Sequence, residues 1–158
     1  MVKFKSPSRG EMTMDEVVDD IINYINEDTR RSYKIIVGSD SKVWGKETCF
    51  VSAVIVHRVG KGARYYYYKE MEPRIRSMRQ RIFYEASLSL SLADELSRLL
   101  KEKGRDNLPV EIHLDVGNEG ETRELVKEIT GMIIGSGFAA CIKPDACAAS
   151  KVADKYTK

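Results

Sequence analysis

Metal-binding and apolar signatures are what this 158-residue chain lacks most conspicuously. Its three cysteines, Cys49, Cys141 and Cys147, are odd in number and show no paired metal-ligand spacing. That argues against a structural zinc module and a disulfide scaffold, and predicts buried, reduced thiols. No apolar run approaches the roughly 20 residues that a membrane helix requires. The opening residues Met1 to Ser6 contain no signal-peptide core. A cytoplasmic globular protein with no membrane partner is expected. Charge of one sign is missing too. Lysine and arginine number 26 against 24 aspartates and glutamates, a net charge of +2. A polyanion-binding surface must therefore be a local patch and not a property of the whole chain. No phosphate-binding fingerprint such as GxxxxGKS occurs.

What is present is hydrophobic patterning that suits one α/β domain spanning 1–158, with a lead-in and helix over 1–30 and a core over 33–158. Residues 1–12, broken by Pro7 and Gly10, read as a flexible or edge-bound lead-in. Thr13 and Glu16 have capping-box spacing ahead of a helix from Met14 to about Asn26. Strands are expected over Tyr33–Ser39, Thr48–Val59 and Ala63–Met71, the last two joined by a hairpin at Gly60-Lys-Gly62. A long helix from Pro73 to Lys103, a strand over Val110–Val116 and a helix ending near Ile134 follow. A short strand over Phe138–Ile142 and a final helix over Ala146–Tyr156 complete the order. Hairpin-linked strands followed by strand–helix–strand crossovers predict a mixed five-stranded sheet flanked by helices.

Glu85 breaks the pattern of the long helix. Met78, Ile82, Ser89, Leu92, Leu96 and Leu99 share one helix face, and Glu85 stands in the middle of it. A carboxylate aimed at a core is costly unless its charge is compensated. Asp40 and Asp115 end two predicted strands and can be presented to Glu85 by a common sheet. Acids converging from separate elements suit Mg²⁺ or Mn²⁺, which prefer hard oxygen ligands. A two-metal pair can activate water and stabilise the leaving oxygen in phosphodiester cleavage. The plainer alternatives are turn or cap roles for Asp40 and Asp115, and an ion pair between Glu85 and Arg81, one turn earlier.

The order of these acids, with Ile36-Val-Gly-Ser-Asp-Ser41, the hairpin Phe50–Tyr68 and Arg81-Ile-Phe-Tyr-Glu85, resembles the YkuK family of the ribonuclease H-like superfamily. The resemblance covers nearly the whole chain. It implies a ribonuclease H-like fold with an extra N-terminal helix, and a D-E-D-D cluster carried over as Asp40, Glu85, Asp115 and a fourth acid. Asp154, in the last predicted helix, matches the position of the superfamily's final aspartate; Asp145 is the competing choice. The superfamily's usual His-rich loop is absent, with Lys143 to Cys147 in its place.

Arg74, Arg76, Arg79 and Arg81 form the only dense basic cluster, expected on the helix turns before Glu85 and suited to clamping backbone phosphates. Lys42 and Trp44, in a predicted loop after Asp40, add a further phosphate contact and a ring. His113 either lines the acid site or fills a half-polar sheet face, and His57 is a surface residue. The expected function is a metal-dependent nuclease acting on nucleic acid, whether DNA, RNA or hybrid. The alternatives are a catalytically inactive nucleic-acid-binding or protein-interaction module, and a structural acid cluster in a small-molecule-binding domain.

Overall fold

Three long strands, each of twelve residues, form the centre of the sheet: β3 (Tyr33–Trp44), β4 (Glu47–Arg58) and β5 (Gly62–Pro73). The structure is a computed structural model that describes residues 3–105, 107–116 and 123–142. Ahead of the three strands lie β1 (Phe4–Ser6), β2 (Gly10–Met12) and α1 (Met14–Asn26); after them come α2 (Met78–Glu102), β6 (Val110–His113), α3 (Arg123–Gly135) and β7 (Ala139–Cys141). The sheet has the order β2-β1-β5-β4-β3-β6-β7. The meander β3–β4–β5 is antiparallel, whereas β6 runs parallel to β3 and β7 parallel to β6. Among the described residues no helix is long and apolar enough to cross a membrane.

The expected five-stranded core is present, and two more strands extend it. Residues 4–12 form a hairpin whose β1 pairs with β5 at Lys5 and Tyr67. Gly10 sits at its turn with φ 72°, a conformation glycine adopts without steric cost. Alternation along the strands sorts residues onto two faces. Ile35, Val37, Val54, Val56, Tyr66 and Ile112 join one core with all three described helices. Ile36 and Ile55 pack with Tyr65, and Cys49 and Val51 with Tyr67, in separate clusters on the other parity.

α1 begins where its capping box dictates. Thr13 Oγ1 accepts from the Glu16 amide at 3.2 Å, and the Thr13 amide donates to Glu16 Oε1 at 2.9 Å. α2 starts later than expected. Pro73 ends β5, where its missing N–H is tolerated, and Ser77 caps the helix instead. Met78 is consequently at the exposed helix end and not in the apolar stripe, which runs through Ile82, Ala86, Ser89, Leu92, Ala93, Leu96 and Leu100.

Candidate active site

Strand β3, the segment after β6 and helix α2 place three of the predicted acids, Asp40, Asp115 and Glu85, near enough for the first two to act on the third. β3 pairs with β6 only from Ile35 to Gly38, and β6 itself stops at His113. Beyond that point β3 continues as the hairpin partner of β4, with Asp40 opposite Val51. Asp40 is therefore inside a strand and not at its end, yet it sits where parallel pairing has just ceased. Asp115 follows Leu114, whose amide still bonds to the Cys141 carbonyl at 2.8 Å. The arrangement leaves both acids at the carboxyl end of the parallel strands, where open α/β sheets form crevices.

Glu85 reaches this edge from α2. Ser41 Oγ donates to its Oε2 at 2.5 Å. Beneath that contact a buried hydroxyl chain ties the helix to the sheet: Ser89 Oγ donates to Ser39 Oγ at 2.9 Å, and Ser39 meets Ser52 at 2.8 Å. Small side chains on α2, including the fully buried Ala86 and Ala93, let the helix approach closely. Burial pushes the Glu85 carboxyl up to about 8. The Ser41 hydrogen bond and Arg81 oppose that rise, while the like charges of Asp40 and Asp115 reinforce it. Among the described residues no lysine or arginine forms an ion pair with Glu85; Arg81 keeps its Nε buried without a hydrogen-bond partner.

Asp20 makes the contrast plain. This buried acid of α1 accepts from Arg64 Nη1 at 3.2 Å and from the Tyr66 hydroxyl at 2.5 Å, and pairs with Arg9 at 3.3 Å. Asp20 is a compensated structural carboxylate. Glu85 has the Ser41 hydroxyl and two neighbouring acids, with Arg81 near but not paired to it, where Asp20 has two paired arginines. Two carboxylates near enough to raise the pKa of a third, which no ion pair among the described residues balances, fit a hard divalent ion, and Asp40, Glu85 and Asp115 are the residues that would hold it.

The basic residues divide. Lys42 and Trp44 stand on β3, not in a loop, with the Lys42 ammonium 4.9 Å from the Trp44 ring centre. Arg74 and Arg76 precede α2 and are not on helix turns. Arg74 holds the β3–β4 turn, its amide donating to Lys46 O at 2.9 Å and its guanidinium to Gly45 O at 2.8 Å. Arg79 pairs with Glu128 of α3 at 3.5 Å. Arg81 is half-buried and near enough to Glu85 to affect its charge. Asp154 and Asp145 lie outside the described residues.

Sequence reading missed Ser41 and the serine chain. The signal was available in Ser39-Asp-Ser41, where alternation puts both serines on one face. It also missed that His113, which is buried, belongs with Glu111 and Cys141. Among the described residues this trio of ligating types has its ligand atoms all within 4.8 Å of one another. Burial, opposed by Glu111, lowers His113, leaving its imidazole uncharged at neutral pH. Burial works against ionisation of Glu111, but bonds from Lys34, Cys141 and His113 outweigh it and hold that carboxyl below its ordinary range.

The chain matches the ribonuclease H-like family over residues 16–158. It is 34% identical over 166 residues to "Uncharacterized protein YkuK" of Bacillus subtilis (strain 168), covering 98% of this chain and 96% of that one. The fold supports a nuclease or other nucleic-acid-related function, and proteins built on it often use divalent metals. The mixed α/β architecture and both comparisons agree: the chain belongs to the YkuK family of the ribonuclease H-like superfamily.

Proposed function

We propose that the protein is a divalent-metal-dependent nuclease that hydrolyses phosphodiester bonds in nucleic acid. Asp40, Glu85 and Asp115 are the proposed ligands of Mg²⁺ or Mn²⁺, with Asp154 as the fourth acid. The observation that carries this reading is Glu85, half-buried beside two further acids and held by the Ser41 hydroxyl where Asp20 has arginines. A paired divalent site, when bound, supplies an activated water and a counter-charge for the leaving oxygen.

The chain's own residues prepare that chemistry. Ser41 holds the Glu85 carboxyl, and the hydroxyl chain below holds α2 against β3, which supports a Glu85 set in place before any ligand arrives. Preorganisation of this kind keeps the cost of ordering out of the reaction step. Arg81 adds positive charge beside the acids. Lys42, Arg74, Arg76 and Arg79 are the proposed contacts to backbone phosphates leading to them.

A cleavage panel over single-stranded DNA, duplex DNA, RNA, hybrid and branched junctions tests the proposal. Cleavage of at least one substrate is expected in Mn²⁺ or Mg²⁺, lost in chelator and lost in Asp40→Asn. Binding without cleavage of any substrate would instead assign an inactive nucleic-acid-binding module.

A further inference from the structure

Glu111, His113 and Cys141 meet on a part of the sheet that the nuclease proposal does not use. Glu111 and His113 are two residues apart on β6 and so share a face, and the parallel register sets Cys141 of β7 directly beside His113. Glu111 Oε1 is the meeting point, 3.3 Å from His113 Nε2 and 3.3 Å from Cys141 Sγ. Its other oxygen is held by Lys34 Nζ at 3.1 Å, which turns Oε1 toward the other two side chains. The remaining imidazole nitrogen, His113 Nδ1, is buried without a hydrogen-bond partner.

We infer that Glu111, His113 and Cys141 form a binding site for a borderline-soft divalent transition metal of the zinc class. Imidazole and thiolate are the donors such ions favour over the all-oxygen sets preferred by magnesium. Size supports the same conclusion. Tetrahedral zinc holds nitrogen and oxygen at about 2.0–2.2 Å and sulfur at about 2.3 Å, which sets its ligand atoms roughly 3.3–3.6 Å apart. The two edges that meet at Glu111 Oε1 are 3.3 Å, and all three ligand atoms lie within 4.8 Å of one another, so the side chains need draw together only slightly to share one ion. On binding, Cys141 gives up its thiol proton to solvent and coordinates as thiolate. Thiolate, carboxylate and the Lys34 ammonium then sum to one negative charge, which the divalent ion overcompensates by one. Three protein ligands leave one coordination position open. The ion would also fasten β7, only three residues long, to β6.

Co²⁺ is the probe, because thiolate ligation gives it a near-ultraviolet charge-transfer absorption that oxygen and nitrogen ligands do not. The expected result is such absorption from about one Co²⁺ per chain, displaced by Zn²⁺ and abolished in Cys141→Ser. The absorption should persist in Asp40→Asn, so this site and the proposed nuclease site can fail separately. An absorption of equal strength in Cys141→Ser, or none in the unaltered protein, overturns the inference. A second measurement does not depend on any variant's folding. With Zn²⁺ present, alkylation of Cys141, followed by peptide mapping, should slow at least tenfold relative to chelator-treated protein. Equal rates overturn the inference as well.

Discussion

Two carboxylates withdrawn from solvent, buried Asp20 and half-buried Glu85, differ in what faces them, and that difference sets their opposite expected behaviour. Asp20→Asn removes the acceptor charge from Arg9, Arg64 and the Tyr66 hydroxyl together, leaving buried donors poorly satisfied. A loss of about 2–4 kcal/mol in urea-melt stability is expected. Glu85→Gln should do the reverse in chelator. The carboxyl is near 4.5 when unfolded and about 8 when folded, so the native state retains a proton that the unfolded chain releases. Its contribution is therefore intact below pH 4.5 and is lost progressively as pH rises toward 8. Glu85→Gln should abolish that decline and be more stable than the natural protein at pH 8, by up to a few kcal/mol. The gain in melting temperature on adding millimolar Mn²⁺ should shrink in the same variant. If the variant melts earlier in chelator and gains as much from Mn²⁺, Glu85 is a structural residue. Glu85 was legible in the sequence because a charge interrupted an apolar stripe. Asp20 was not, since its partners Arg9 and Arg64 arrive from β-strand and turn positions distant along the chain.

Among the elements, local rules and tertiary ones can be told apart by where the sequence reading held. α1 begins at Met14 because a capping box needs only residues 13 and 16. The Glu16 carboxyl is lowered by its hydrogen bonds to Thr13, chiefly the backbone one. Its support is therefore present above pH 4.5 and is lost as pH falls through the lowered value. Glu16→Ala should show a melting deficit at neutral pH that narrows in acid; a constant deficit would mean the cap is not what was removed. β3 was harder. Its last residues, Asp40 to Trp44, are mostly polar or exposed, and the ladder to β4 keeps them extended. Pro73 was ambiguous by itself, since proline suits a helix's first turn and a strand's edge equally. The α2–sheet contact depends on small hydroxyls. Ser89→Leu should cost about 1–3 kcal/mol by overpacking against Ser39, whereas Ser89→Ala should cost about 1 kcal/mol or less.

For the molecule as a whole, the near balance of charge means that polyanion affinity rests on where a few cations stand. Replacing Arg74, Arg76 and Arg79 together with alanine should lower the salt slope of nucleic-acid binding by about one unit, or slightly less, for each backbone phosphate no longer neutralised. Arg79 is expected to contribute least, because Glu128 already pairs with it. An unchanged slope would make these arginines plain surface residues. The fold class was readable from the succession of elements, but the grouping of Glu111, His113 and Cys141 was not. It depends on the parallel register of β6 and β7, which no spacing along the chain encodes.

The short hairpin at residues 4–12 has a consequence for solution behaviour. β5 offers a twelve-residue edge, and β1 is what lies against it on that side, with Phe4 buried edge-on to Tyr68 at 4.9 Å. Uncovering the middle of that edge, where Lys5 pairs with Tyr67, would leave a continuous unpaired run that can template pairing with another molecule's strand. Removal of residues 1–11 should therefore promote self-association through β5, seen as light scattering that grows with concentration more steeply than in the intact chain. Adding a charge pair by Tyr65→Lys and Tyr67→Lys to the truncated chain should suppress that growth if the exposed edge is its cause.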